Sequence, residues 1–173
     1  MPCPIVGGLI EYMVPLLAEA KDLTSYSVWD GTTPRLDTNG NAVAPSSTTG
    51  SWPVVNLDMD ESGFAIGNTF NDNRDEEGWI TVDIWGTTRE QVENMIAVID
   101  NIFAPQPTLQ DPQNVVLGQG QANDPNYVIK MLLKSWTCFN DPNLRTATSQ
   151  WLYHGIMRYS TSVHTSANYV AGL

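Results

Sequence analysis

In the stretch ITVDIW, residues 80–85, Ile80, Val82 and Ile84 alternate with Thr81, Asp83 and Trp85. A period of two places the three aliphatic side chains on one face of a strand. Past Gly86 the period changes. Val92, Met95, Ile96, Ile99 and Phe103 recur at spacings of three and four, which makes a single apolar stripe along a helix. Thr88 and Gln91 stand at capping-box spacing, so the threonine hydroxyl should accept from the Gln91 amide while the glutamine reaches back. A period-two face running into a helical stripe predicts a helix that lies on its own sheet. The junction itself holds Gly86, two threonines and Arg89, with no catalytic residue among them.

The same reading extends along the chain. Leu9, Met13, Leu16, Leu17 and Ala20 mark a first helix, kinked or started near Pro15. TSYSVWDG is a β-branched and aromatic run closed by an Asp-Gly turn, and WPVVNLDMD is a strand beginning beside Pro53. Residues 31–50 between them, rich in Thr, Asn, Gly, Ser and Pro, form a loop or a long hairpin arm. Tyr127, Ile129, Met131 and Leu133 share one face of a later strand. FNDPNLRTATSQ is a polar turn, and Trp151, Tyr153, Met157, Tyr159 and Val163 share one face of a last strand. These elements predict one α+β domain over residues 1–173, an antiparallel sheet of about four main strands with two helices packed on one face. Long loops are expected at about 31–50 and 104–126.

Composition fits that plan: 42% of the 173 residues are apolar and 16% charged, a globular balance. Eight basic against nineteen acidic residues leave a formal charge of -11. That excess argues against binding nucleic acid or anionic lipid, both of which need clustered cations. From Asp58 to Glu77 seven acids face one base, Arg74, so this segment is expected in solvent, with Asp72, Asp75, Glu76 and Glu77 on a loop. The first lysine is Lys21, so the opening residues lack the positive start of a signal peptide, and their apolar run is too interrupted for a membrane span. Cys3 and Cys138 lack metal or redox spacing and read as free thiols. A soluble intracellular protein is the expectation.

Candidate chemistry is sparse. G-x-S-x-G, P-loop and H-E-x-x-H patterns do not occur, and GQGQAN has only two glycines of a dinucleotide fingerprint. His154 and His164 lie ten apart on one strand, roughly 33 Å, too far to share a metal. Both read as solvent-face residues. DMDESG copies the start of a calcium loop, but its twelfth position is Thr69 where a bidentate Glu belongs. No pair of carboxylates is singled out for glycoside hydrolysis. No enzyme, cofactor or metal is expected. Trp52, Trp79, Trp85, Trp136 and Trp151 sit on or beside strands and mostly read as packing. Trp85 and Trp136 fall opposite the main apolar faces of their strands and are candidate interface residues. The loop 104–126 holds four prolines and only two charges, Asp111 and Asp124. Its Pro105, Pro107, Leu109, Val115 and Leu117 are expected to order against a neighbouring subunit.

An N-terminal helix, a strand, WITVDIWGTTREQVENMIAVIDNIF and a closing HGIMRYSTSVHT strand together resemble the tail terminator, or tail completion, proteins of long-tailed bacteriophages. The likeness covers residues 5–20 and 78–164, and the loops 31–50 and 104–126 look longer than that family needs. The resemblance implies a hexameric ring, built in the host cytoplasm and carried in the virion. It would end tail-tube polymerisation and join the tube to the neck and head proteins, with or without a sheath. A different neck or connector ring, or a tail-tube subunit, is the alternative, and a small intracellular enzyme a more distant one. Six copies would carry -66 around a channel, and acidic walls let DNA slide without sticking. Asp72, Asp75, Glu76, Glu77, Glu90 and Glu93 are the candidate wall residues.

Overall fold

The computed structural model describes residues 4–19, 27–29, 35–43, 52–59, 65–70, 73–103, 115–117 and 127–165. Helix α1 spans Pro4–Glu19, and strands β1 (Ser27–Trp29), β2 (Arg35–Leu36), β3 (Ala42–Val43), β4 (Val54–Met59), β5 (Ala65–Phe70) and β6 (Asn73–Gly86) follow. Helix α2 (Arg89–Phe103) precedes β7 (Val115–Leu117), β8 (Tyr127–Arg145) and β9 (Trp151–Thr165). The architecture is α+β, and its main antiparallel strands run in the order β4-β6-β9-β8. Shorter strands extend it: β1 pairs parallel with β4, β5 with the start of β6, and β7 with the start of β8.

Both helices lie on one face. Register explains why one face is apolar: Val55 stands opposite Ile84, Leu57 opposite Val82, and Ile80 and Val82 opposite Tyr159 and Met157. The α2 stripe of Val92, Met95, Ile96, Ile99 and Phe103 closes over them, with Leu9, Met13 and Leu17 of α1 completing the core. Each of these eight helix residues is at most 5% exposed. Phe103 joins the layers, meeting Tyr12 of α1 at 6.4 Å and the Tyr159 ring edge-on at 5.7 Å. Helix α1 runs on through Pro15, which sits on its exposed side. It neither starts nor ends there. Ala20 lies outside the described residues.

Four expectations need correction. First, β6 begins at Asn73, so Asp75, Glu76 and Glu77 belong to a strand that pairs with both β5 and β9 rather than to a loop. Strand pairing satisfies the backbone whatever the side-chain charge, and Glu77 is exposed on it. Second, the 104–126 segment contains β7, whose Val115 and Leu117 pair with Ile129 and Tyr127. Pro105, Pro107 and Leu109 lie outside the described residues, as do Asp60 and Glu61 of the calcium-like stretch. Third, β8 continues through Pro142 to Arg145, so the polar turn shrinks to Thr146–Gln150, where Ser149 takes a φ of 62°. A register shift between Asn140 and Arg145 accommodates the proline.

The fourth correction concerns Trp136. Leu133 pairs with Tyr159, but a bulge follows and Ser135 pairs with Arg158. One extra residue reverses the alternation. Trp136 therefore stands opposite Met157, on the helix-bearing side, and not on the reverse side that simple alternation assigns.

Within the 31–50 segment, residues 35–43 form a hairpin arm, β2 against β3, and residues 31–34 and 44–50 lie outside the described set. Asp37 organises its turn by accepting from the Asn39 and Asn41 amides and the Asn41 side chain at 2.8–3.0 Å. Gly40 takes the left-handed φ of 80° that the turn requires.

Candidate functional site

No described helix covers the second face of the sheet. There the alternate residues of each strand emerge: Asn56 and Asp58 from β4, Trp79, Thr81, Asp83 and Trp85 from β6, His154, Ile156 and Arg158 from β9. At one end the β2–β3 arm folds back, and Ala42, Val54, Trp85 and Leu152 form a small second core with Trp52 and Leu144 against it. Trp85 is 2% exposed, so its surface is already taken within the chain. Of the two candidate interface tryptophans, Trp136 alone is open, at 53%.

Beside Trp85 lies a pair that sequence reading missed. His154 Nε2 is 2.7 Å from Asp83 Oδ1, and both side chains are mostly buried. The imidazole stacks on Trp85 at 4.7 Å and meets Phe139 at 5.2 Å. Rings on both sides and a carboxylate at one nitrogen make His154 a cross-strand tie between β6, β8 and β9. The signal for it was Asp83, a charge on the second face of an otherwise uncharged strand segment. His164 pairs through its backbone with Asp75 and Val128, and its side chain lies outside the described set.

A shallow groove of about 420 Å³ opens where α2 begins, between Thr87, Arg89, Asn140, Gln150, Trp151 and Tyr153. Local capping shapes its floor. Thr88 Oγ1 accepts from the Gln91 amide at 3.2 Å, and Gln91 Oε1 accepts from the amide and hydroxyl of Thr87, each at 3.0 Å. The expected cap forms, with Gln91 reaching one residue further back than the threonine it caps with. Gln150 Nε2 donates to the Thr87 carbonyl at 2.9 Å, which ties the β8–β9 turn to the start of α2. Arg145 sits 3.6 Å over the Trp151 ring nearby. Arg89 bonds Glu93 at 2.7 Å, a contact that raises the guanidinium pKa further and leaves the arginine engaged.

The acidic candidates divide into two groups. Asp75, Glu76 and Glu77 stand near the start of β6, with Glu77 exposed, while Asp72 lies outside the described residues. Glu90 and Glu93 stand at the start of α2, beyond the other end of β6. The strand between Glu77 and Gly86 spans about 30 Å. The two groups cannot act as one cluster within a subunit.

Buried titratable groups behave as packing. Burial pushes the Tyr159 hydroxyl well above the usual phenol range and raises the Cys138 thiol. Both therefore stay protonated at neutral pH. Among the described residues no group of three His, Cys, Asp or Glu could hold a metal ion, and no helix is long and apolar enough to cross a membrane.

Among the described residues the exposed large hydrophobic side chains are Leu36 and Val43 on the β2–β3 arm, Trp79 on β6, and three on β8. Leu132, Trp136 and Phe139 are 46%, 53% and 40% exposed, and Lys130 and Lys134 stand exposed among them. No protein-family model matches the chain, and no curated protein sequence matches it.

Proposed function

We propose that this chain is the subunit of a homo-oligomeric ring, hexameric by the resemblance described above, at the head-proximal end of a phage tail. The ring ends tube polymerisation and joins the tube to the neck. The observation that carries this reading is the exposed strip on β8, where Leu132, Trp136 and Phe139 stand with Lys130 and Lys134 along one long strand. Aromatic anchors within a polar rim mark surfaces that bind protein. A chain with that strip and a charge of -11 suits an assembly that grips its neighbours and lets DNA pass.

The segments behind the resemblance also lend support, since the 80–85 strand runs straight into α2 and β9 closes the sheet between β6 and β8. The reading assigns no catalysis and no cofactor. Acids at the two ends of β6 supply the wall that repels phosphate.

The test is direct. Purified chain is added to polymerising tail-tube protein of the same phage and tube ends are imaged by electron microscopy. Capped, shortened tubes bearing a ring at one end are expected. Tubes that lengthen unimpeded, with bare ends, would refute the assignment.

A further inference from the structure

We infer that two copies of this chain pair edge to edge through β8, antiparallel from Lys130 to Asp141, with Trp136 of each copy at the two-fold axis. The inference goes beyond the ring reading and stands on β8 alone.

The edge comes first. β7 pairs with β8 only from Tyr127 to Ile129. Beyond Ile129, among the described strands, β8 pairs with β9 alone. Pro142, which has no amide to donate, bounds the other end. Residues 130–141 therefore present a bounded row of amides and carbonyls to another strand. Leu132 and Phe139 stand on the helix-free face, opposite Ser160 and His154, whereas the bulge sends Trp136 to the helix-bearing face. Large apolar groups are thus exposed on both sides of one edge. A partner lying flat on either face would miss one set, but a strand added at the edge meets both.

This stretch matches itself. Antiparallel pairing that uses all of it sets Lys130 against Asp141 of the second copy, Met131 against Asn140, Leu132 against Phe139 and Leu133 against Cys138. In such a pair, opposed residues must lie on the same face. They do: Leu132 and Phe139 are helix-free, while Met131, Leu133 and Cys138 pack on the helix-bearing core and Asn140 stands opposite Tyr153, on that same side. The partners in each pair are an odd number of residues apart, so an unbroken strand would put them on opposite faces. The bulge after Leu133 supplies the extra residue that reconciles them. Lys134 and Ser135 then oppose Thr137 together, and Trp136 meets Trp136.

Charge agrees with this register. Asp141 is the one acid of residues 127–165, and it falls opposite Lys130. Its Oδ1 accepts from the Asn143 amide at 2.9 Å, which leaves Oδ2 for the ammonium. A register two residues shorter sets Lys130 against Phe139 and gathers both Lys134 residues at the axis, which like-charge repulsion disfavours. One two residues longer opposes Met131 to Pro142, which cannot donate. The favoured register places the paired Trp136 rings centrally and flanks them with Leu132–Phe139 contacts, the arrangement of an interface hot spot. An isologous contact is complete at two copies. The pair is therefore a form the chain takes outside a ring, and a ring built through the same strip requires it to open.

The experiment measures association of the full chain by native mass spectrometry and sedimentation across concentration, and dimers are expected. Zero-length carbodiimide should couple Lys130 to Asp141 in the wild-type protein. Within one chain the strand between them spans roughly 35 Å, so that link forms only between copies. Lys130→Asp and Asp141→Lys should each weaken self-association by about tenfold or more, because each opposes like charges at both ends of the pair. Mixed together, the two variants should pair as well as wild type, since both charge contacts are then complementary. A wild-type chain that stays monomeric at every concentration overturns the inference. So do dimers lacking the Lys130–Asp141 link, and single reversals that pair normally. Should a reversal lower the melting temperature, the wild-type cross-link still decides. A linked dimer from a chain that never caps tail tubes would keep this inference and refute the tail assignment. Capping by a chain that never dimerises would do the opposite.

Discussion

Val92 fills the space that a side chain on Gly155 would need: a Cβ there would lie 2.5 Å from Val92 Cγ1 and 3.1 Å from Ile96 Cδ1. Helix α2 can approach β9 this closely because position 155 has no side chain. Gly155→Ala should therefore overpack the helix-sheet contact and destabilise the fold by about 1–3 kcal/mol. Adding Val92→Ala should recover part of the loss, a coupling that urea melts of the single and double variants would expose. Additive costs would show that the helix simply shifts away.

Ile96 and Ile99 press on the same face, 5% and 0% exposed. Replacing either with Ala should cost about 2–5 kcal/mol, with the larger loss where the cavity collapses least. Thermal denaturation reads the effect directly. An unchanged melting temperature for Ile99→Ala would mean that α2 packs through another stripe.

The β2–β3 turn should respond to acid. The side-chain hydrogen bond from Asn41, followed by the Asn41 amide, lowers the Asp37 pKa. A depressed carboxylate stabilises the turn above its unfolded pKa, and that support fades as pH falls through the lower folded value. In a titration followed by the Asn39 and Asn41 amide resonances, the midpoint should lie below the usual aspartate value of about 3.9. A midpoint at or above it contradicts the hydrogen-bonded turn.

Reversing Glu90 and Glu93 to Lys changes each subunit by +4 and six subunits by +24, two charges per substitution. Both acids are on the outside of α2, so the fold should survive even though the Arg89–Glu93 pair is lost. If α2 rims the channel, the assembled variant should retain DNA at low salt and release it as salt rises. Reversal of Asp72, Asp75, Glu76 and Glu77, towards the other end of β6, should likewise make the assembled variant retain DNA at low salt if those acids line the channel. Rings of that second variant that form normally and hold no DNA would exclude those four acids from the channel wall. Filter binding and native mass spectrometry on the two proteins separate these cases.

Much of the layered core was legible because its residues obey one period at a time. Ile80, Val82 and Ile84 alternate without interruption, and Val92 to Phe103 keep a helical stripe, so face and partner followed. Legibility failed where another rule overrode the period. The bulge after Leu133 moved Trp136 across the sheet, and nothing local in KMLLKSW marks it. Asp75, Glu76 and Glu77 read as loop because charge and strand propensity point apart, yet β9 supplies a partner strand that overrides propensity. β7 is too short to show any period. His154 read as a surface residue because its environment depends on Asp83 and Phe139, brought together only by the order of strands.

That order carries a consequence for biosynthesis. β9 lies between β6 and β8, yet follows both in the chain. A ribosome that has delivered β6, α2 and β8 has made two strands whose shared partner does not yet exist. Every β6–β9 pair, from Arg74–Thr165 to Gly86–Tyr153, bridges a long stretch of chain, and such distant closure is slow. A product broken off before Trp151 can therefore neither complete the sheet nor present a rigid β8 edge. Synthesis order makes the last described strand a check on completeness, excluding truncated copies from anything the whole chain builds.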